Sequence, residues 1–295
     1  MEVAVYLSTE RQSFFMKTMP KVIKVSLFYI ILDIEVRHLY PFKTLEVTMN
    51  QVIETLKQHT SIRKFNGEVI TESEQQAIIE SAKRGATAGN MMLYSMIRIQ
   101  SKETLKSLAH SCDEQPFIEN AAFALLFVID HHKWQKYFEM RSLASRIEGF
   151  EGPSVSDFML GMQDATIAAQ NAVIAAESLG IGTCYIGDIM ENYEAHKVLF
   201  NLPEYTMPAL LVVFGKYDHK PKLRSRFEDK FCVFEESYPE VETDFLEEMF
   251  REREGENEDF AYKFYMRKKD APFFKEMNRS IQKYLNEWKG QLGRK

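Results

Sequence analysis

The stretch Leu179-Gly180-Ile181-Gly182-Thr183-Cys184-Tyr185-Ile186-Gly187-Asp188 decides how this chain reads. Before it, Ser156 to Leu179 carries Ala165, Ala168, Ala169, Ala172, Ala175 and Ala176 at helical spacing. The pattern predicts a long helix that ends at Gly180. A short strand then runs through Cys184 to Ile186, and Gly187 lets the backbone come close to something flat. Small side chains allow close backbone approach, so the helix is expected to be central and packed on another helix. That neighbour belongs either to a second subunit or to the same one.

Two basic segments stand far from this stretch on either side. His59-Thr60-Ser61-Ile62-Arg63-Lys64-Phe65 leaves a short amphipathic helix, Met49 to Gln58, and precedes a turn at Asn66-Gly67. Its composition suits phosphate or another compact anion: arginine offers a planar fork of donors, the hydroxyls donate, and histidine adds an N–H. A solvated basic surface is the plainer alternative. The second segment, Phe214-Gly215-Lys216-Tyr217-Asp218-His219-Lys220-Pro221-Lys222-Leu223-Arg224-Ser225-Arg226, follows an apolar strand, Ala209 to Phe214. Residues two apart in an extended chain point the same way, so Arg224 and Arg226 can close on one anion together.

In this order and spacing the three segments resemble the nitroreductase superfamily, FMN-dependent NAD(P)H oxidoreductases built as homodimers. The stretch 59–63 is similar to that family's phosphate-binding motif, Ala86-Thr87-Ala88-Gly89-Asn90-Met91-Met92 to its second flavin-contacting loop, and Arg224-Ser225-Arg226 to its closing basic pair. Ala175-Ala176-Glu177-Ser178-Leu179-Gly180-Ile181-Gly182 with Tyr185-Ile186-Gly187 is the most specific match. Residues 264–280 resemble the C-terminal arm, placed at 237–295. The resemblance implies that FMN is held at its phosphate by His59, Thr60, Ser61, Arg63, Arg224 and Arg226. It implies that the ring meets Thr87, Ala88, Asn90, Gln115, Tyr185, Ile186 and Gly187, with the Gly187 amide near the flavin N5. No catalytic side chain is needed. It implies that hydride passes in ping-pong fashion from NAD(P)H through the flavin to nitroaromatics, quinones or flavins; a non-catalytic FMN carrier or sensor is the alternative. The chain departs from the family pattern at Thr60, where arginine is common, at Met92, where some members carry glutamine, and at Asp188, where many carry a second glycine.

Composition narrows the rest. At 295 residues with a net charge of −6, the chain is long enough for a full core and too acidic for general nucleic-acid binding. Its three cysteines, Cys112, Cys184 and Cys232, form no CxxC, which argues against a zinc site and fits a reducing cytoplasm. Cys184 reads as a small buried strand residue. The apolar run Val22 to Val36 is interrupted by Lys24, Asp33 and Glu35 and is too short and charged for a membrane span. Residues 1–48 match nothing in the family. They read as an appendage or over-extended start, or else as an element packed on the dimer, with the family-like domain at 49–295.

Thr71-Glu72-Ser73-Glu74 is a capping box opening a helix to Lys83. Strands are expected at 94–100, 121–130, 183–186 and 209–214. Helices are expected at 102–110, 131–147, 191–200, 245–253 and 271–288, with a loop from Leu202 to Pro208. The class is therefore α+β, a mixed central sheet wrapped by helices, and the resemblance implies that the long central helix lies at a dimer interface. His131-His132 would point apart, which argues against a metal. Asp157 and Asp164 read as capping and solvation. Arg251, Arg253, Arg267, Lys268 and Lys269 read as a solvated face, with a 2′-phosphate site as the alternative. No GxGxxG follows a strand, so a Rossmann nicotinamide site is not expected.

Overall fold

The computed structural model describes residues 50–255, 257 and 259–290, with the side chains of 289 and 290 excepted. The chain divides into Met1–Asn50 and Gln51–Lys295, and only the second unit is described below. The expectations for residues 1–48 lie outside the described residues.

The sheet has four strands, β1 (Tyr94–Ile99), β2 (Phe123–Asp130), β3 (Gly182–Ile186) and β4 (Thr206–Gly215), in the order β1-β2-β4-β3. All three pairings are antiparallel. The α+β class read from the sequence holds, while the mixed sheet is replaced among the described strands by an antiparallel one. β4 begins at Thr206, inside the segment expected to be a loop. The register shifts between Phe127 and Val128, and Val128 pairs with Pro208. A bulge there accommodates a proline, which has no N–H for the ladder.

Every residue of β2 is buried, because both faces of the sheet are covered. On one face Phe123, Leu125, Phe127 and Ile129 pack against the long helix α5 (Val155–Ser178). On the other, Ala124, Leu126 and Val128 pack with Leu105 and Leu108 of α3 (Lys102–Ser111). Of the alanine stripe, Ala165, Ala168, Ala169, Ala172 and Ala176 are all buried inside the subunit. They meet the sheet and α2 (Glu72–Lys83), so the stripe itself packs within one chain. Gly85, just after α2, shows how close that approach is: a Cβ there would lie 3.3 Å from the Ala168 backbone. The opposite side of α5 leaves Val155, Met159, Leu160 and Ile167 exposed, as are Val52 and Leu56 of α1 (Gln51–Lys57).

The capping box of α2 forms as read, with Thr71 and Glu74 bonding reciprocally. Glu74 also accepts from Lys216 Nζ at 2.7 Å. That bond, then those from Thr71, hold its carboxyl at about 2. The helix expected over 131–147 is α4 (His132–Met140) only, because Ser142 turns left-handed at φ 54°. The chain continues through α6 (Tyr193–Leu199), α7 (Thr243–Glu254), α8 (Phe260–Lys268) and α9 (Pro272–Gly290). α8 was not expected as a separate helix. α7 and α8 have no buried residue, whereas α9 inserts Tyr284 and Trp288 into the core.

Candidate functional site

The segment after α1 is sewn onto the open edge of the sheet. Ile62 N–H donates to Thr183 O at 2.8 Å and Asn66 N–H to Lys216 O at 2.9 Å. Ile62 and Phe65 lie directly over Gly182 and Gly215, where a side chain would collide with them. The hydrogen-bonded edge thus fixes the basic loop beside the start of the second basic segment.

The result is a cleft of about 380 Å³ lined by His59, Thr60, Ser61, Arg63 and Lys64 from one segment and by Pro221, Lys222, Arg224 and Arg226 from the other. No carboxylate is among its lining residues. All six residues expected at a phosphate are therefore brought to one place, joined by Lys64 and Lys222. Arg63 stays exposed while its guanidinium sits 5.9 Å from the centre of the Phe117 ring. His59 Nδ1 lies 2.6 Å from Glu177 Oε1.

The other expected residues form two further groups. At the end of β3, Ile186 is buried and Gly187 is exposed, with nothing within 4 Å of where a Cβ would stand. Tyr185 donates its hydroxyl to Gln170 Oε1 at 3.0 Å, and burial raises its pKa. Gln115 Nε2 donates to Asp188 Oδ2 at 2.7 Å and to Cys112 O at 2.8 Å. Asp188, one of the departures from the family pattern, is thus tied back into the protein. Next to it Glu191 is buried, and burial together with Asp188, Asp113 and Glu276 pushes its carboxyl up to about 8. Cys184 is buried as expected, and burial raises its thiol pKa.

Thr87, Ala88 and Asn90 belong to a separate turn beyond α2, and none of them lines the cleft. Gly89, Asn90 and Met92 all have positive φ. Asp164 holds this turn. It accepts from the Thr87 hydroxyl, from Ala88 N–H at 3.0 Å and from Leu93 N–H at 3.1 Å. The solvation reading of Asp164 is therefore overturned, since its side chain is buried. Asp157 does cap α5, through Ser154. Sequence reasoning missed both Asp164 and Glu177. The available signals were an acid on the alanine-bearing face and an acid in the last turn of a helix.

The other charged residues singled out in the sequence do not line the cleft. His131 Nε2 lies 2.8 Å from Asp157 O, and His132 Nδ1 lies 3.2 Å from Glu204 O. Arg253 stacks on Phe227, Arg267 on Phe264, Lys268 on Phe273 and Lys269 on Phe274.

Comparison with known proteins agrees with this architecture. The nitroreductase family profile matches residues 56–216. The chain is 30% identical over 198 residues to an FMN reductase (NADPH) of Bacillus subtilis, covering 66% of this chain and 77% of that one. It is 30% identical over 201 residues to an NADPH-flavin oxidoreductase of Vibrio harveyi, covering 66% and 78%. Among solved structures, NfrA1 of B. megaterium superposes with a TM-score of 0.68 at 29% identity, over 80% of this chain and 98% of that one. The NADPH:FMN oxidoreductase from Vibrio harveyi complexed with NAD+ gives 0.68 at 27% identity, over 83% and 100%. The chain belongs to the nitroreductase family. The family, fold and oxidoreductase class implied by the sequence segments hold, and the relatives' names carry the same pair of FMN and NADPH. No helix among the described residues is long and apolar enough to cross a membrane.

Proposed function

We propose that the chain is an FMN-dependent NAD(P)H oxidoreductase that reduces nitroaromatics, quinones or flavins. The observation that carries this reading is the cleft in which His59, Ser61 and Arg63 meet Arg224 and Arg226 with no opposing carboxylate in its lining. Its donor set suits a phosphate monoester, because arginine forks and hydroxyls match three acceptor oxygens. The exposed Gly187, with open space over its Cα, leaves a backbone N–H that a flat ring can approach.

FMN supplies two-electron chemistry between a reduced nicotinamide and an acceptor. The chain's part is to bind and orient. Arg63, Arg224 and Arg226 hold the phosphate, with His59, Thr60 and Ser61 adding shorter donors. Gln115 holds Asp188 away from the Gly187 amide by bonding its carboxylate. Ile186 and Tyr185 fix the strand end that presents Gly187.

The protein acts as a homodimer on this reading. The turn bearing Thr87, Ala88 and Asn90 does not line the cleft of its own chain, and on this reading a second copy brings it to the same cofactor. The exposed apolar side of α5, with Val52 and Leu56 of α1, is the surface that supports such pairing. The functional domain spans residues 49–295, with 1–48 appended to it. A cytoplasmic setting is supported by Cys112, Cys184 and Cys232, all of which are free thiols.

An anaerobic titration of the purified chain with NADPH and with NADH, followed by its visible spectrum, tests the reading. Bleaching of an oxidised flavin band is expected and ranks the two donors. A yellow protein that neither nucleotide bleaches would point to a carrier or sensor. A colourless protein that takes up no added FMN would overturn the cofactor assignment.

A further inference from the structure

Glu177 stands in the most family-like stretch of the chain, yet no step above uses it. It sits in the last turn of α5, a turn without a basic residue. A carboxylate at a helix C-terminus opposes the helix dipole, so this position disfavours it unless something else holds it. The structure supplies two partners. His59 Nδ1 lies 2.6 Å from Glu177 Oε1, and Thr183 Oγ1 donates to the same oxygen at 3.4 Å. Thr183 is fully buried on β3, and the Glu177 side chain is only 13% exposed, so the pair is fixed by packed elements on both sides. Lys220 and Glu54 share an adjoining hollow of about 260 Å³ with Glu177.

A carboxylate only accepts hydrogen bonds, so the Nδ1 facing it carries the hydrogen. His59 also lines the anion cleft. A carboxylate behind the ring therefore fixes the orientation in which the imidazole faces the cleft.

We propose that Glu177 is a positioning residue of the phosphate site, acting through His59 to fix how the imidazole faces the anion. The proposal rests on the FMN reading above, and its test separates the two. Flavin-free full-length protein is titrated with FMN and with riboflavin, which lacks the phosphate, and binding is followed by flavin fluorescence. Glu177→Gln is expected to raise the Kd for FMN about tenfold, the scale of one weakened charged hydrogen bond, and to leave riboflavin unchanged. In a His59→Ala background the same substitution is expected to cost nothing more. Glu177→Asp, which keeps the charge, is expected to recover part of the FMN affinity and serves alone should the glutamine variant not fold. Equal FMN affinity in Glu177→Gln and wild type would overturn the proposal. So would an equal loss for both flavins, or an undiminished loss without His59. Wild-type protein that binds riboflavin as tightly as FMN would instead overturn the phosphate-site reading itself.

Discussion

Gly182 and Gly215 are partners across the β3–β4 ladder, and each is covered by a side chain of the basic loop. A Cβ on Gly182 would stand 2.8 Å from Ile62 and from the Tyr217 ring, and one on Gly215 would enter the Phe65 ring. The pair acts as a seat: two missing side chains let Ile62 and Phe65 dock, and that docking places His59, Ser61 and Arg63. Gly182→Ala is expected to destabilise the fold by about 1–3 kcal/mol through overpacking. Because the loop must lift to relieve the clash, FMN affinity is expected to fall about tenfold or more. Chemical denaturation and fluorescence titration measure the two effects. An alanine variant with wild-type stability and affinity would refute the seat.

The alternate spacing of Arg224 and Arg226 predicts a shared ligand, and both line the one cationic cleft. Neither is held elsewhere by a close carboxylate among the described residues, so their charge is available to an anion. Arg224→Ala with Arg226→Ala removes two charged donors, worth together about 3 kcal/mol or more, or on the order of a hundredfold in affinity. The double variant is expected to purify largely colourless while melting near the wild-type temperature. Full flavin occupancy would sink the assignment.

What the sequence disclosed divides along the range of the interactions involved. The Thr71–Glu74 capping box and the almost wholly apolar β2 were legible because each is a local pattern with a local cause. Both halves of the anion cleft were legible as residue types, since few positions gather arginine, histidine and hydroxyls so densely. That they converge depends on Gly182 facing Gly215, a pairing across 33 residues that no local pattern encodes. The alanine stripe was read correctly as a buried face, but periodicity alone does not say which chain covers it. α8, Phe260–Lys268, escaped notice; like α7, which was expected, it buries no residue, so burial does not separate the two.

Asp164 illustrates the illegible remainder. Its partners Thr87, Ala88 and Leu93 lie 77, 76 and 71 residues earlier in the chain. One buried carboxylate satisfies three donors of a turn rich in positive φ, which is otherwise held by Met92 N–H on Thr87 Oγ1 and Trp134 Nε1 on Met91 O. Asp164→Ala is expected to cost about 3 kcal/mol by stranding those donors, and to lower the melting temperature by roughly 6–12 °C. Limited proteolysis is expected to cut near residues 87–92 in the variant first. A melting temperature within about 2 °C of wild type would show that the turn is held by other means.

Glu191 gives the chain a pH dependence of opposite sign to that of its salt-bridged carboxylates. It is 5% exposed, and its Oε1 has no hydrogen-bond partner among the described residues. Burial chiefly, then the charges of Asp188, Asp113 and Glu276, raise its pKa from 4.5 to about 8. Between those values the folded state holds a proton that the unfolded state has lost, so stability falls as pH rises. The contribution is full below about 4.5 and lost through about 8. Glu74 and Glu276, held low by Lys216 and Arg279, behave in the reverse sense and lose stability on acidification. Comparing Glu191→Gln with wild type cancels those shared terms. The amide stays neutral, so the variant is expected to match wild type near pH 5 and to surpass it increasingly toward pH 8. Melting temperatures across that window measure the difference directly. Parallel curves for the two proteins would mean that Glu191 titrates as an ordinary carboxylate and that the 187–191 turn admits water to it.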